Sequence, residues 1–343
     1  MKYKKPSDIR VGVIGYGGAF SMGREHLNSM RGAGMTPAAV SELNPTRLAV
    51  AEEDFPGIAK FATGADMLRR GGVDLVTIIT PHNTHAKLAL QCLRAGKHVV
   101  CEKPLAITTA ECDAMIADAK KSGVLLSTYH NRHWDGWILT ALELVKKKKV
   151  IGDIYKIDAR MGRRELPGDW WRTSRSISGG ILYDWGVHLL EYGLQLADSQ
   201  ITEVSGYARS GYWAPQTKWK ADTNEDEAAA VVRFRNGIWM NLCMTSLDSN
   251  PKPGFLEITG TEGSYLITWQ NYTITRREGS KTVIEEGAHA RSESHRFYEN
   301  IAAHLVRGTK LAITPEWSRR PIHILDLAVK SAKLGRALPA KYR

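Results

Sequence analysis

The chain is poor in cysteine. It has four in 343 residues, Cys92, Cys101, Cys112 and Cys243, and no C-x-x-C pair among them. That excludes a disulfide frame and a cysteine-based zinc site, and no metal is expected. Reduced, mostly buried thiols fit better, because Cys92, Cys101 and Cys243 lie in apolar-rich stretches. Long apolar runs are also missing, so nothing approaches the roughly 20 residues of a membrane-spanning helix. The basic start Met1-Lys2-Tyr3-Lys4-Lys5-Pro6 leads into no uninterrupted apolar segment of the kind a signal peptide carries. A cytoplasmic protein with no membrane partner is the expectation. There is no internal repeat and no low-complexity stretch. The first 133 residues hold no tryptophan, although the chain has ten.

What is present is a basic, otherwise ordinary globular composition. Lys and Arg outnumber Asp and Glu by 47 to 36, a formal net charge of +11. The cations are scattered. The only run, Lys146 to Lys149, closes the helix-like stretch 137–145, where lysines complement the helix dipole. Nucleic acid is therefore not expected as a partner, whereas an anionic dinucleotide or an anionic substrate suits a basic surface. The length allows two domains with separate cores.

Residues 9–14 (Ile-Arg-Val-Gly-Val-Ile) read as a buried strand running into Gly15-Tyr16-Gly17-Gly18. A strand, a glycine-rich turn and a helix form the dinucleotide-binding arrangement, because bare backbone can approach a pyrophosphate at a helix N-terminus. The usual G-x-G-x-x-G is broken, with Phe20 at the sixth position. Gly23 follows three residues later, so the loop reads as lengthened, with Gly23 packing helix against strand. Gly15, Tyr16, Gly17, Gly18 and Phe20 are the candidate phosphate-side residues. A second strand over 35–40 ends at Ser41-Glu42, and a carboxylate there suits the ribose hydroxyls of NAD and repels the 2′-phosphate of NADP. Ser41 and Arg47 nearby soften that preference.

Strand and helix then alternate: a helix over 48–54, a strand over 73–80, a helix over 86–95, a strand over 98–101, a helix to about Lys121 capped by Thr108 or Thr109, and a strand over 124–129. Alternation of this kind means a doubly wound parallel sheet, a Rossmann domain. Lys103, just past a strand end, can hydrogen-bond a reacting oxygen and stabilise developing alkoxide charge. Asp184 and His188, in Gly180-Ile-Leu-Tyr-Asp-Trp-Gly-Val-His188, lie four apart. If that segment is helical they share a face one turn apart, a workable proton-transfer pair.

Three motifs in order resemble those of the Gfo/Idh/MocA oxidoreductases. They are Thr80-Pro81-His82-Asn83-Thr84-His85, Cys101-Glu102-Lys103-Pro104-Leu105, and Gly179-Gly180 through Asp184 and Gly186 to His188. The resemblance spans roughly residues 8 to 205. It implies that Lys103, Asp184 and His188 meet at the substrate carbinol, with His188 as general base, Asp184 tuning it and Lys103 polarising the oxygen. It implies cofactor contacts from Gly15, Gly17, Glu42, Thr80, Pro81, Asn83, His85, Glu102 and Lys103. Residues 129–135 resemble a family segment bordering the substrate pocket, which makes Asn131 and Arg132 substrate candidates. A plain linker turn remains the alternative.

After Gly152 the pattern changes to alternating strands over 153–160, 203–208, 227–234, 238–245, 255–259, 263–268 and 272–276, then closing helices over 293–307 and 322–334. An open, mostly antiparallel sheet covered by helices on one face is expected, as in the family's second domain. The division is placed at 1–128 and 129–343. The family commonly dimerises through the free sheet face, which implies a homodimer or homotetramer. Trp171, Arg172 and Trp185 lie near His188 and suit a carbohydrate pocket, while packing stays open for them. Trp239 and Trp269 read as packing the sheet or an oligomer interface.

The functional expectation is an NAD-dependent oxidoreductase moving hydride between nicotinamide and a secondary hydroxyl or ketone of a sugar, polyol or sugar derivative. NADP is the less favoured cofactor. Two alternatives stand beside it: a glycoside-processing enzyme with tightly bound NAD restored each turnover, and a nucleotide-binding regulator without catalysis.

Overall fold

The computed structural model describes residues 3–18 and 20–341. In chain order the first half runs β1 (Arg10–Ile14), α1 (Met22–Gly32), β2 (Thr36–Ser41), α2 (Pro45–Asp54), β3 (Ala59–Phe61), α3 (Gly64–Arg70), β4 (Leu75–Ile78), α4 (His85–Arg94), β5 (His98–Cys101), α5 (Thr109–Ser122) and β6 (Leu126–Thr128). Local chemistry sets several boundaries. The Asn44 side chain accepts the N–H groups of Thr46 and Arg47 ahead of Pro45 at the start of α2. Thr108 and Glu111 form a reciprocal capping box on α5, and Gly123 ends that helix at φ 64°.

The six strands pair in parallel in the order β3-β2-β1-β4-β5-β6. The order reverses between β1 and β4, which opens a crevice at the carboxyl ends of those strands. The Rossmann expectation therefore holds. The segment carrying β3 and α3 was not anticipated. β3 is three residues long and none of them is buried, so it carries no apolar run to read.

The second half runs α6 (Gly136–Ala141), β7 (Ile154–Gly162), α7 (Arg175–Ser178), α8 (Gly186–Ala197), β8 (Ile201–Arg209), β9 (Glu227–Phe234), β10 (Trp239–Thr245), β11 (Leu256–Gly260), β12 (Gly263–Ile267), β13 (Asn271–Glu278), β14 (Lys281–Ala288), α9 (Arg296–Arg307), α10 (Pro315–Leu334) and β15 (Leu338–Pro339). Its nine strands order as β14-β13-β12-β11-β7-β10-β9-β8-β15. All pairs are antiparallel except β7 with β10. Along β10 burial alternates residue by residue, as a sheet with one covered face requires. The edge strand β14 escaped the sequence reading because no residue in it is buried. α10 starts at Pro315, earlier than the expected 322, and carries Pro321 inside it.

The chain forms two compact units. The first is Met1–Asn131 with His295–Arg320; the second is Arg132–Ser294 with Pro321–Arg343. Residues 295–320, grouped by the sequence reading with the second domain, thus belong to the first unit. There Ser127 donates to the Ile313 carbonyl at 2.8 Å, and Arg319 pairs with Asp113 at 2.5 Å.

In the second unit α8 is buried on nearly every side, the state of a helix apolar all round. Glycine lets it approach the sheet. A β-carbon on Gly186 would meet Leu242 at 3.3 Å, and one on Gly193 would meet the Met240 sulfur at 2.3 Å. Closer still is the contact between β8 and α10, where a β-carbon on Gly206 would sit 1.9 Å from the Ala328 carbonyl oxygen. Backbone cannot move aside as a side chain can. Gly206→Ala is expected to cost about 1–3 kcal/mol of unfolding free energy, read from denaturant melts. A wild-type midpoint would contradict this packing.

Candidate active site

The loop after β1 is built around one close approach. Gly15 has φ 93°, and a β-carbon there would lie 2.1 Å from the Ile79 carbonyl oxygen at the end of β4. Only glycine fits. Gly18 follows at φ 117°. Tyr16 turns its ring inward, where its hydroxyl donates to Asp54 at 2.6 Å, and Arg24 joins the same carboxylate at 2.7 Å. Tyr16 therefore offers backbone rather than ring to the loop. Gly23 packs against Tyr16, whose Cα would lie 2.7 Å from an added β-carbon. That accounts for a glycine three residues late. Phe20 is 54% exposed. Ala19, within the lengthened loop, lies outside the described residues.

Glu42 closes this loop. Its carboxylate accepts the N–H of Tyr16 at 2.8 Å, of Gly17 at 3.3 Å and of Asn44 at 2.9 Å. Burial works to raise its pKa, but these hydrogen bonds and the Arg47 charge outweigh it and hold the carboxyl below its ordinary range. Arg47 lies across Gly17, its Cδ 1.8 Å from where a β-carbon would sit. Loop N–H groups converging on a carboxylate oxygen show that the turn accepts an anion. With Gly15 and the start of α1, these residues suit a dinucleotide.

The two other loops at this sheet edge are tied together. His85 is fully buried, with Nδ1 2.8 Å from the Pro104 carbonyl and Nε2 2.8 Å from the Thr80 carbonyl. A neutral ring donates to only one of them, and the imidazolium donates to both. Burial lowers its pKa, against the pull of the two carbonyls and Glu102. His85 thus braces the Thr-Pro loop against the Glu-Lys-Pro loop. Thr80 and Thr84 share a hydroxyl contact at 2.6 Å, and Thr84 also bonds the Pro81 carbonyl. Asn83 lies in the single 3-10 turn His82–Thr84.

Glu102 accepts from the Lys103 N–H at 2.9 Å and contacts His26 Nε2 at 3.0 Å. His26 Nδ1 meets the Tyr298 hydroxyl at 2.7 Å, which meets Thr77 at 3.2 Å. Burial acts to raise the Glu102 pKa, but His26 and Lys103 pull it below the usual range. The residue before Lys103 is thus anchored by a buried chain reaching β4, α1 and α9. Sequence reasoning missed His26 and Tyr298, because α9 is remote in sequence and nothing local marks Tyr298.

In the second unit the Asp184–His188 spacing has a different cause from the one expected. α8 begins only at Gly186. Asp184 stands before it, at the end of a 3-10 turn over Ile181–Tyr183 with ψ −78°, and Gly180 (φ 124°) sets that turn. The two are not on one continuous helix, because the backbone turns at Asp184. Arg172 pairs with Asp184 at 3.3 Å and lies 4.9 and 5.2 Å from the ring centroids of Trp170 and Trp171. Trp171 therefore shelves the arginine that holds Asp184. The buried His188 has its ring 5.4 Å from that of Trp185, over which the Arg132 guanidinium sits at 4.7 Å. Asn131 opens the 3-10 turn Asn131–Trp134.

Two buried pairs that sequence reasoning did not single out line α8 beyond His188. His133 contacts Glu191 at 2.5 Å, and Asp135 accepts from Tyr192 at 2.6 Å and from Arg132 at 3.2 Å. Burial raises the Asp135 pKa. A lone Glu191 inside the apolar run 187–197 was the available signal. Trp269, read as packing the sheet or an oligomer interface, packs on Phe255 at 4.4 Å and also meets Trp185 at 5.5 Å.

Glu42 supplies a test of the loop. A carboxyl held below its unfolded value stabilises the fold above that value, and the contribution disappears as pH falls through the folded pKa. Glu42→Gln is expected to lower stability to urea at pH 7, with the gap to wild type narrowing below about pH 4. A gap independent of pH would sink the assignment.

Among the described residues no helix is long and apolar enough to cross a membrane. The chain is similar to the scyllo-inositol 2-dehydrogenase (NADP(+)) of Bacillus subtilis, 31% identical over 56% of this chain and 53% of that one. It is likewise similar to the myo-inositol 2-dehydrogenase of Thermotoga maritima, 30% identical over 67% and 66%. The chain spans little more than half the length of the first curated relatives it matches. The crystal structure of an NAD-binding protein from Listeria innocua superposes with a TM-score of 0.82 at 27% identity, covering 97% of both chains. The family model of the oxidoreductase family with an NAD-binding Rossmann fold matches residues 9–130, and that of the GFO/IDH/MocA C-terminal domain matches residues 138–266. With both halves of the family pattern present in order, and the loop and sheet geometry to match, the chain belongs to the Gfo/Idh/MocA oxidoreductases.

Proposed function

We propose that this protein is an NAD-dependent dehydrogenase acting on a secondary hydroxyl, or the matching ketone, of a sugar, polyol or sugar derivative. The observation that carries the reading is the support given to each reactive group. Lys103 follows a Glu102 anchored by His26, Asp184 is gripped by Arg172, and His188 projects from a helix packed on all sides. Groups carried on backbone held this firmly suit chemistry that demands fixed positions. Inositol dehydrogenases among the relatives are consistent with a ring hydroxyl as the group acted on, whether the ring is free or part of a larger ligand.

In this reading Gly15, Tyr16, Gly17 and Gly18 hold the cofactor phosphates, Glu42 takes the adenosine ribose, and Thr80, Pro81, Asn83 and Glu102 line the nicotinamide side. His85 acts by bracing those loops. The bound nicotinamide supplies the hydride acceptor. His188 takes the hydroxyl proton, Lys103 hydrogen-bonds the same oxygen as it becomes a carbonyl, and Asp184 with Arg172 sets the charge around the base. Asn131, Arg132 and Trp185 contact the substrate, and Trp171 acts through Arg172. Glu42 favours NAD, although Arg47 beside it can meet a 2′-phosphate. Self-association through the free sheet face is part of the proposal.

Sugars, inositols, uronic acids and glycosides are tested with NAD and NADP separately, following nicotinamide reduction. One responding class, with NAD the better cofactor, is expected. His188→Ala and Lys103→Met are each expected to cut kcat at least about 100-fold with cofactor affinity retained. Unchanged turnover in both variants would remove these roles. Substrate conversion without net reduction of added NAD would instead indicate the closed-cycle glycoside enzyme. Cofactor binding without any conversion would indicate the regulator.

A further inference from the structure

Trp269 combines two properties that seldom coincide, rigid support and exposure. It sits in the tight turn between β12 and β13. Thr268 pins that turn: its hydroxyl donates to the Asn271 carbonyl at 2.9 Å and accepts the N–H groups of Asn271 at 3.0 Å and Gln270 at 3.2 Å. The Thr268 carbonyl in turn meets His289 at 3.0 Å. The indole itself is held by three rings, with Phe255 at 4.4 Å, Trp137 at 5.5 Å and Trp185 at 5.5 Å. It is nevertheless 46% exposed.

An isolated apolar side chain on a surface needs no explanation. Trp269 is not isolated. It continues the aromatic surface formed by Trp185, whose ring lies 5.4 Å from His188 and beneath the Arg132 guanidinium. Two ring-to-ring steps, of 5.4 and 5.5 Å, put the Trp269 ring within about 11 Å of the His188 ring. Trp269 thus stands one ring further from His188 than Trp185 does, on the side of a part of the ligand beyond the reacting carbon. Gln270, beside it in the turn, carries a neutral amide that suits a hydroxyl group rather than a phosphate or a carboxylate, whereas the Asn271 amide is spent inside the protein on Thr268 at 2.7 Å and Glu286 at 3.4 Å.

We propose that Trp269 is a specificity-determining residue that stacks on the C–H face of a second sugar ring. The preferred substrate is then a disaccharide or glycoside, not a free monocyclic sugar or inositol. This rests on the dehydrogenase reading for the position of the first ring, but not for the stacking itself. Because the indole is already immobilised in its turn, little conformational freedom is lost when a ring settles on it. An aromatic stacking contact of this kind is worth a factor of about 2 to 12 in affinity.

The test compares matched one-ring and two-ring ligands by isothermal titration calorimetry in the presence of NAD: glucose with cellobiose, galactose with lactose, and myo-inositol with galactinol. In wild type at least one two-ring member is expected to bind about five-fold or more tightly than its one-ring partner. Trp269→Ala is expected to abolish that advantage while changing one-ring affinity less than two-fold, and Trp269→Phe, which keeps a stacking ring, to retain most of it. No two-ring advantage in any pair would overturn the proposal. So would equal weakening of both pair members in Trp269→Ala, or a change in oligomeric state with affinities intact. The dehydrogenase reading fails separately. A two-ring advantage lost in Trp269→Ala, with no nicotinamide reduction from any ligand, would leave the stacking platform standing without the reaction.

Discussion

The carbonyl oxygen of Ile79 occupies the place that any side chain on residue 15 would need. That one close approach governs the first unit. It fixes glycine at the head of the loop after β1 and brings that loop against the end of β4, at the point where the strand order reverses. Everything else at this sheet edge keeps the same loops in place. Glu42 gathers the Tyr16 and Gly17 N–H groups, and His85 spans the carbonyls of Thr80 and Pro104. Glu102 is tied back through His26 to Tyr298 and Thr77. Each tie satisfies main-chain or buried polar groups that would otherwise be costly to bury. The loops are therefore set before a ligand arrives.

The second unit solves a different problem. It must display a few polar groups from a segment buried in apolar surroundings. α8 does this by lying flat on β7 and β10, with Gly186 and Gly193 allowing the approach. Gly186, the glycine of the D-x-G-x-H motif, thereby has a packing cause independent of chemistry. The polar residues on and around the helix are matched in pairs, Asp184 with Arg172, Glu191 with His133, and Tyr192 with Asp135. A carboxylate buried without such a partner would protonate or destabilise the fold. The aromatic surface of Trp137, Trp185, Phe255 and Trp269 closes the same region with rings packed mostly edge to face, a geometry aromatic quadrupoles favour.

Much of this was legible in the sequence, for local reasons. Strand β1 running into Gly15-Tyr16-Gly17-Gly18, the capping box of Thr108 and Glu111, and the alternation along β9 and β10 all depend on residues a few positions apart. The class of each sheet followed from such patterns. The reading weakened where burial was slight, at β3 and β14, because an exposed strand has no apolar period. It also stopped short at Pro321, since a proline reads as a helix boundary, yet α10 carries it inside.

By itself the sequence determined the kind of fold, the glycines that backbone approach demands, and which side chains are chemically suited to proton transfer. Those are properties of residue type and short spacing. Only the tertiary structure decided the company each group keeps. Asp184 lies outside the helix that carries His188, because it ends the 3-10 turn that Gly180 sets and the backbone bends there before the helix begins at Gly186. Tyr298 reaches Glu102 through His26 although 196 residues separate the two in the chain, and Trp269 joins Trp185 across more than eighty. Such contacts arise from sheet order and helix packing, which bring together positions that no local pattern connects.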